Sequence, residues 1–246
     1  MNLHTASWPE VEAYLETSTG IVIPIGSHEQ HGPNGLVGTD AICPEVIARE
    51  AGDEGGFLVG PTFSIGVAQH HLGFPGSMTL SPSTMIAVIQ DWLASLARHG
   101  FTRIYFLNGH GGNIATIDAA FAEAYAAYSF AGESAPFVCK QANWWQLPGV
   151  AKAVEEVIPS GEGYHATASE VSVTYYAYPE HQKDVKMSPK HAPLGPVRDA
   201  ADYRRRFPDG RIGSDPSQAT PEKGAHIVKA AKAGLISEVG KFFRGD

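Results

Sequence analysis

The strongest constraint on the fold is a rhythm: short apolar runs alternate with longer amphipathic stretches. Residues 21–26 (IVIPIG) have no polar face and end in glycine, as a strand buried on both sides requires. Residues 57–61 and 137–140 read as further strands, and 102–107 (TRIYFL) as the clearest one. Met85, Ile86, Ile89, Trp92, Leu93 and Leu96 recur at helical spacing across 83–99, with Ser81 or Ser83 as cap and Gly100 as stop. Helices are also expected over 41–51, opened by Thr39 or Asp40, and over 113–128, 166–178 and 221–243. Such alternation predicts an α/β fold, a parallel sheet covered by helices. The stretch 189–220, dense in Pro, Gly and Asp, is expected to be a long irregular loop. No internal repeat or linker interrupts the pattern, so residues 1–246 read as one α/β domain.

Composition serves mainly to exclude. With 43% hydrophobic and 18% charged residues the chain has a globular balance, not that of a disordered chain or a coiled coil. No apolar run approaches the ~18 residues of a membrane span, and the first residues lack a leader pattern. Net charge is −8, and the longest basic run, Arg204-Arg205-Arg206, sits beside Asp202 and Asp209, so no nucleic-acid partner is expected. Cys43 and Cys139 lie far apart without metal-type spacing and read as reduced core thiols of a cytoplasmic protein. The unusual number is eleven histidines, several of them beside glycine.

In open α/β sheets, ligands bind beyond the carboxyl ends of the strands. Two polar segments fall there. In 26–33 (GSHEQHGP), Glu29 and His31 are two residues apart and point the same way in extended chain. A carboxylate and an imidazole so placed suit a divalent metal, and Asp40, nine residues on, can fold back as a third ligand. In 108–113 (NGHGGN), glycines around His110 allow close backbone approach ahead of a helix N-terminus. A third segment, 163–170, carries His165 and Glu170 around a helix start. Singly, each residue has a bland reading: Asp40 a helix cap, Glu29 a surface charge, a lone histidine structural. Two glycine-flanked histidine sites at strand ends with acids nearby point instead to a metal site.

These motifs, with His70 to Pro82 (HHLGFPGSMTLSP) and 214–224 (SDPSQATPEKG), resemble the creatininase (creatinine amidohydrolase) family of metal-dependent amide hydrolases. The resemblance implies a three-layer α/β/α sandwich with a mostly parallel sheet. It implies two divalent ions per subunit, zinc, manganese or iron, and assembly into a homohexamer. Glu29, Asp40 and His110 match the ligands of one ion; His31 and the shared Asp40 match those of the second. His165 matches a histidine of proton transfer. One position departs from the pattern: the glutamate two residues after the NGH histidine of creatininase is here Gly112. Glu170 is expected to replace it as ligand and to serve catalysis beside His165. Trp144 and Trp145 fall near a family tryptophan that packs on substrate. His71, Gly111 and Gly112 are expected to line the substrate pocket.

The function expected is hydrolysis of a cyclic amide or another non-peptide C–N bond by a metal-activated water, on a small-molecule amide. Two alternatives use the same ions: a formamide deformylase of formamidopyrimidine type and a small-peptide peptidase. A third, of another class, is a non-catalytic metal-dependent binding or scaffold protein. His4, His99, His181, His191 and His226 are expected at the surface or as caps, His28 at a variable position, and Asp215 as a loop anchor at a subunit interface.

Overall fold

The computed structural model describes residues 1–246. Four parallel strands, β1 (Gly20–Ile25), β2 (Leu58–Val59), β3 (Arg103–Asn108) and β4 (Val138–Asn143), form one sheet in the order β2-β1-β3-β4. The carboxyl ends of β1, β3 and β4 are level, since Ile25 pairs with Asn108 and Asn108 with Asn143. The helices are α1 (Trp8–Leu15), α2 (Thr39–Gly55), α3 (Pro82–Arg98), α4 (Ile114–Ala131), α5 (Val150–Val157), α6 (Ala168–Ala177), α7 (Ala200–Arg206) and α8 (Pro221–Arg244).

The alternation of side chains along a strand divides the core into two layers. Ile21, Ile23 and Ile25 of β1, with Ile104 and Phe106 of β3, pack on Met85 and Ile89 of α3 and Ile117 and Phe121 of α4. Val22, Tyr105 and Leu107 face the other way, onto Ile47 of α2, Val173 of α6 and Val228 and Leu235 of α8. The result is a three-layer α/β/α sandwich. Each fully buried isoleucine of β1 contributes roughly 1.5–3 kcal/mol of apolar burial, which is why that strand carries no polar face. No helix is long and apolar enough to cross a membrane.

Several elements differ from the sequence expectation. Residues 189–220 are not irregular throughout: Asp199 accepts a hydrogen bond from the Asp202 amide and starts α7. α1 and α5, eight residues each, were not expected; α1 is opened by Glu10, which accepts from the Ser7 amide. Cys139 is only half-buried, while Cys43 lies in the core; both are free thiols. α2 begins at Thr39 behind Gly38, so neither Thr39 nor Asp40 caps it.

That last difference positions the site. β2 and β3 flank β1 on opposite sides, with α2 on one face and α3 on the other, so the chain reverses direction between β1 and β3. A crevice opens at such a switch point, beyond the carboxyl ends of the strands. Gly26 and Gly109 follow β1 and β3 directly. A Cβ on either would lie 2.0 or 1.9 Å from the Asp40 carbonyl oxygen. Two missing side chains therefore let the first turn of α2 rest on the crevice and aim Asp40 into it.

Candidate metal centre

Asp40 stands between two imidazoles. Its Oδ1 lies 3.0 Å from His31 Nε2 and its Oδ2 lies 3.0 Å from His110 Nδ1. Beyond His110, Glu29 Oε2 lies 3.3 Å from His110 Nε2; beyond His31, Glu170 Oε2 lies 3.9 Å from His31 Nε2. The donor atoms of Glu29, Asp40 and His110 all lie within 4.8 Å of one another, and so do those of His31, Asp40 and Glu170. A third group of the same tightness, Glu29, His31 and His165, overlaps both. All five residues expected as ligands are thus brought together, with Asp40 common to two groups. Glu170 divides its carboxylate: Oε1 accepts from the Thr167 amide and completes the capping box of α6, while Oε2 turns to the site.

The surroundings fit a cation. Both oxygens of Glu29, His31 Nε2 and Asp40 Oδ2 are buried without a hydrogen-bond partner, an expensive state unless something positive binds there. Backbone carbonyls fix the histidines, because a carbonyl can only accept. His31 gives its Nδ1–H to Glu29 O at 3.1 Å, which frees Nε2; His110 gives its Nε2–H to Val67 O at 3.0 Å, which frees Nδ1. Asn108 holds the His110 backbone from both sides. Carboxylate oxygens with imidazole nitrogens suit zinc, manganese or iron.

The electrostatics agree. Burial, reinforced by Asp40, lifts Glu29 well above the carboxylate range. Burial lifts Glu170 to about 7, with Asp40 adding to it and His31 opposing. Burial also resists charge on His31, yet Asp40 and Glu170 outweigh it and raise that histidine to about 9. Asp40 alone is held far below its usual range, because His31 and His110 overcome its burial. His71 and His165 are driven down by burial and by neighbouring imidazoles, and stay neutral. Without a cation, the pocket recruits protons to offset its carboxylates.

Two cavities meet at the cluster. One, of about 570 Å³, is lined by His71, Gly111, Gly112 and Tyr203 among others; the second, of about 460 Å³, by Trp144, Trp145, Glu162 and Glu170. His110, Gly111, Tyr164 and His165 border both. Trp144 is 2% exposed and packs in the core, whereas Trp145 is half-buried. Gly112 has a steric reason: a Cβ there would sit 2.3 Å from His110 Nε2 and 2.8 Å from Val67 O, across the bond that fixes His110. His71 Nε2 lies 3.1 Å from Glu29 Oε1. His4, His99, His181, His191 and His226 are exposed, and His28 Nδ1 donates to Ser64 O. Asp215 anchors a turn by accepting from Ser217 N. Gln30 and Tyr203, which reach His71, were not singled out from sequence; for Gln30 the available signal was its place between Glu29 and His31.

A doubly wound sheet with a shared-carboxylate cluster at its switch point defines an α/β protein of the metal-assisted hydrolase kind. The chain belongs to the creatininase family: that family's model, described as creatinine amidohydrolase, matches residues 4–239. Members of this family are metal-dependent amidohydrolases, and this chain is a hydrolase of that class. It is 26% identical to creatinine amidohydrolase of Pseudomonas putida over 250 residues, 96% of this chain and 95% of the relative. It is 26% identical to mycofactocin precursor peptide peptidase of Mycobacterium ulcerans (strain Agy99) over 244 residues, 93% of this chain and 88% of the relative. A solved structure titled "Creatininase Mn" superposes with a TM-score of 0.86 at 24% identity, covering 98% of each chain, and supports the fold.

Proposed function

We propose that this chain hydrolyses a cyclic amide or another non-peptide C–N bond, using two divalent ions per subunit. Glu29, Asp40 and His110 hold one ion, and His31, Asp40 and Glu170 the other. The observation that carries this reading is Asp40, one buried carboxylate within 3.0 Å of imidazoles on both sides. When bound, divalent ions supply Lewis-acid polarisation and acidify water at neutral pH. The chain's own residues do the remaining work. His165, neutral through burial, points Nδ1 toward the cluster, 3.8 Å from Glu29 Oε1. From there it is placed to take a proton from the attacking water and pass it to the leaving nitrogen. Gly111 and Gly112 present bare backbone to the substrate, Trp145 forms an aromatic wall, and His71 supports Glu29.

Gly112 leaves no carboxylate where creatininase has one, so the reading does not commit to creatinine. A second reading, cleavage of a small peptide, draws support from the peptidase relative. The test is a mass-spectrometric turnover screen of zinc-, manganese- and iron-loaded protein against lactams, cyclic ureas, formamides and short peptides. A ring-opened product, made by the wild type and absent with His110→Ala, supports the leading reading. Formate release or peptide cleavage replaces it with a deformylase or peptidase. Two retained ions with tight ligand binding and no turnover of any class would favour a binding protein. The reading also includes a cytoplasmic homohexamer, for which light scattering should give six times the 26.2 kDa chain mass.

A further inference from the structure

Gln30 lies between two proposed ligands in sequence, and its side chain is buried against His71, His165, Tyr203 and Gly210. Its amide orientation is fixed. The Gly32 amide can only donate, and it does so to Gln30 Oε1 at 2.8 Å. The opposite end is therefore the NH2 group. One of its hydrogens goes to Gly210 O at 2.9 Å, which can only accept. Tyr203 gives its own hydroxyl hydrogen to that same carbonyl at 2.7 Å. The second Gln30 hydrogen is shared between Tyr203 Oη at 3.1 Å, which accepts, and His71 Nδ1 at 3.2 Å.

A hydrogen on His71 Nδ1 would point at the Gln30 NH2 group, so neutral His71 carries its hydrogen on Nε2, which lies 3.1 Å from Glu29 Oε1. His165 meets Gln30 differently. Its Nε2 lies 2.8 Å from Gln30 O and 2.9 Å from Gln30 Nε2. Making that nitrogen an acceptor would set two lone pairs against each other at 2.8 Å, so it donates to the carbonyl. Its Nδ1 is then bare and faces the cluster.

We propose that Gln30 is a positioning residue that sets adjacent histidines for opposite tasks. Its side chain leaves His71 with its Nε2–H edge turned toward Glu29 Oε1, 3.1 Å away, and its backbone carbonyl makes His165 an acceptor toward the substrate. Both rings carry Nε2–H, but they turn opposite edges to the site. His71 thereby orients Glu29 for the ion it shares with Asp40 and His110, and has no such tie to the ion held by His31, Asp40 and Glu170. This rests on the two-ion reading above.

The test is a long-range ¹H–¹⁵N spectrum of zinc-loaded protein with ¹⁵N-labelled histidine, His71 being assigned from His71→Phe and His165 from His165→Phe. The wild type should show both as Nε2–H. In Gln30→Leu, His71 should lose its single tautomer while His165 keeps its own. Competition with a chromophoric chelator should show one zinc weakened roughly 10–100-fold in Gln30→Leu and His71→Phe, the other unmoved. His71 as Nδ1–H in the wild type, or two zinc affinities unchanged or falling together in His71→Phe, overturns the proposal. If Gln30→Leu fails to fold, the wild-type spectrum and His71→Phe still decide it. A wild type that binds fewer than two zinc ions overturns the two-ion reading and this inference with it, whereas a wrong tautomer with two bound zinc ions overturns this inference alone.

Discussion

Single residues carry the site, and Gly112 shows how narrowly. The bond from His110 Nε2 to Val67 O passes where a side chain at 112 would begin. Restoring a family-type glutamate with Gly112→Glu should therefore not add a ligand. It should break that bond, free the His110 ring, and lower metal affinity at least about tenfold, as losing a ligand's supporting partner does. Overpacking should cost about 1–3 kcal/mol of stability as well. Chelator competition and thermal melts of Gly112→Ala and Gly112→Glu check both, and the two variants should behave alike because the clash begins at Cβ. At this scale the candidate ligands were legible because spacing and strand ends announce them. The contact of His71 with Glu29 was not, because it depends on a turn forty-odd residues away in sequence, and no local pattern encodes such a distance.

Elements hold these residues in place, and α6 does two jobs with one side chain. Glu170 closes the capping box with Thr167 through Oε1 and reaches His31 through Oε2. Glu170→Gln keeps an oxygen for the Thr167 amide, so it should leave the melting temperature of the chelated protein nearly unchanged while one ion is lost. Glu170→Ala should lose the same ion and, in addition, roughly 0.3–1.5 kcal/mol of helix capping. A chelated-protein melt separates the two, and equal melting temperatures would deny the divided role. The long elements were readable: α3 and α8 end within a residue or two of the expected limits, since periodicity, caps and stops agree there. α1, α5 and α7 span eight residues or fewer, too short for periodicity to rise above the turns around them. α2 starts earlier than the expected residue 41, because Gly26 and Gly109 leave room for its first turn at the crevice, and Thr39 and Asp40, the two alternative caps, fall inside the helix.

At the scale of the molecule, the sheet and its two helical layers converge on a pocket with surplus negative charge. Metal removal should expose that surplus in the pH dependence of stability. His31 rises from 6.5 to about 9 in the folded, metal-free chain. A raised histidine stabilises fully below its unfolded value, and that contribution is lost as pH climbs through the folded one. The chelated protein should therefore melt at progressively lower temperature between pH 7 and 9. The loaded protein should change less, because an ion replaces the proton on His31; melts at pH 7, 8 and 9 with and without chelator check this. The α/β class and parallel sheet were legible as alternation, while the crossing of α2 and α3 on opposite faces, which creates the crevice, is a property of assembly. The central claim is that two ions share Asp40. Its most direct test is elemental analysis of desalted, zinc-loaded protein, wild type against Asp40→Asn. Two ions per chain, falling to one or none in the variant, is the predicted result; one ion in the wild type, or two retained without the Asp40 carboxylate, would contradict it.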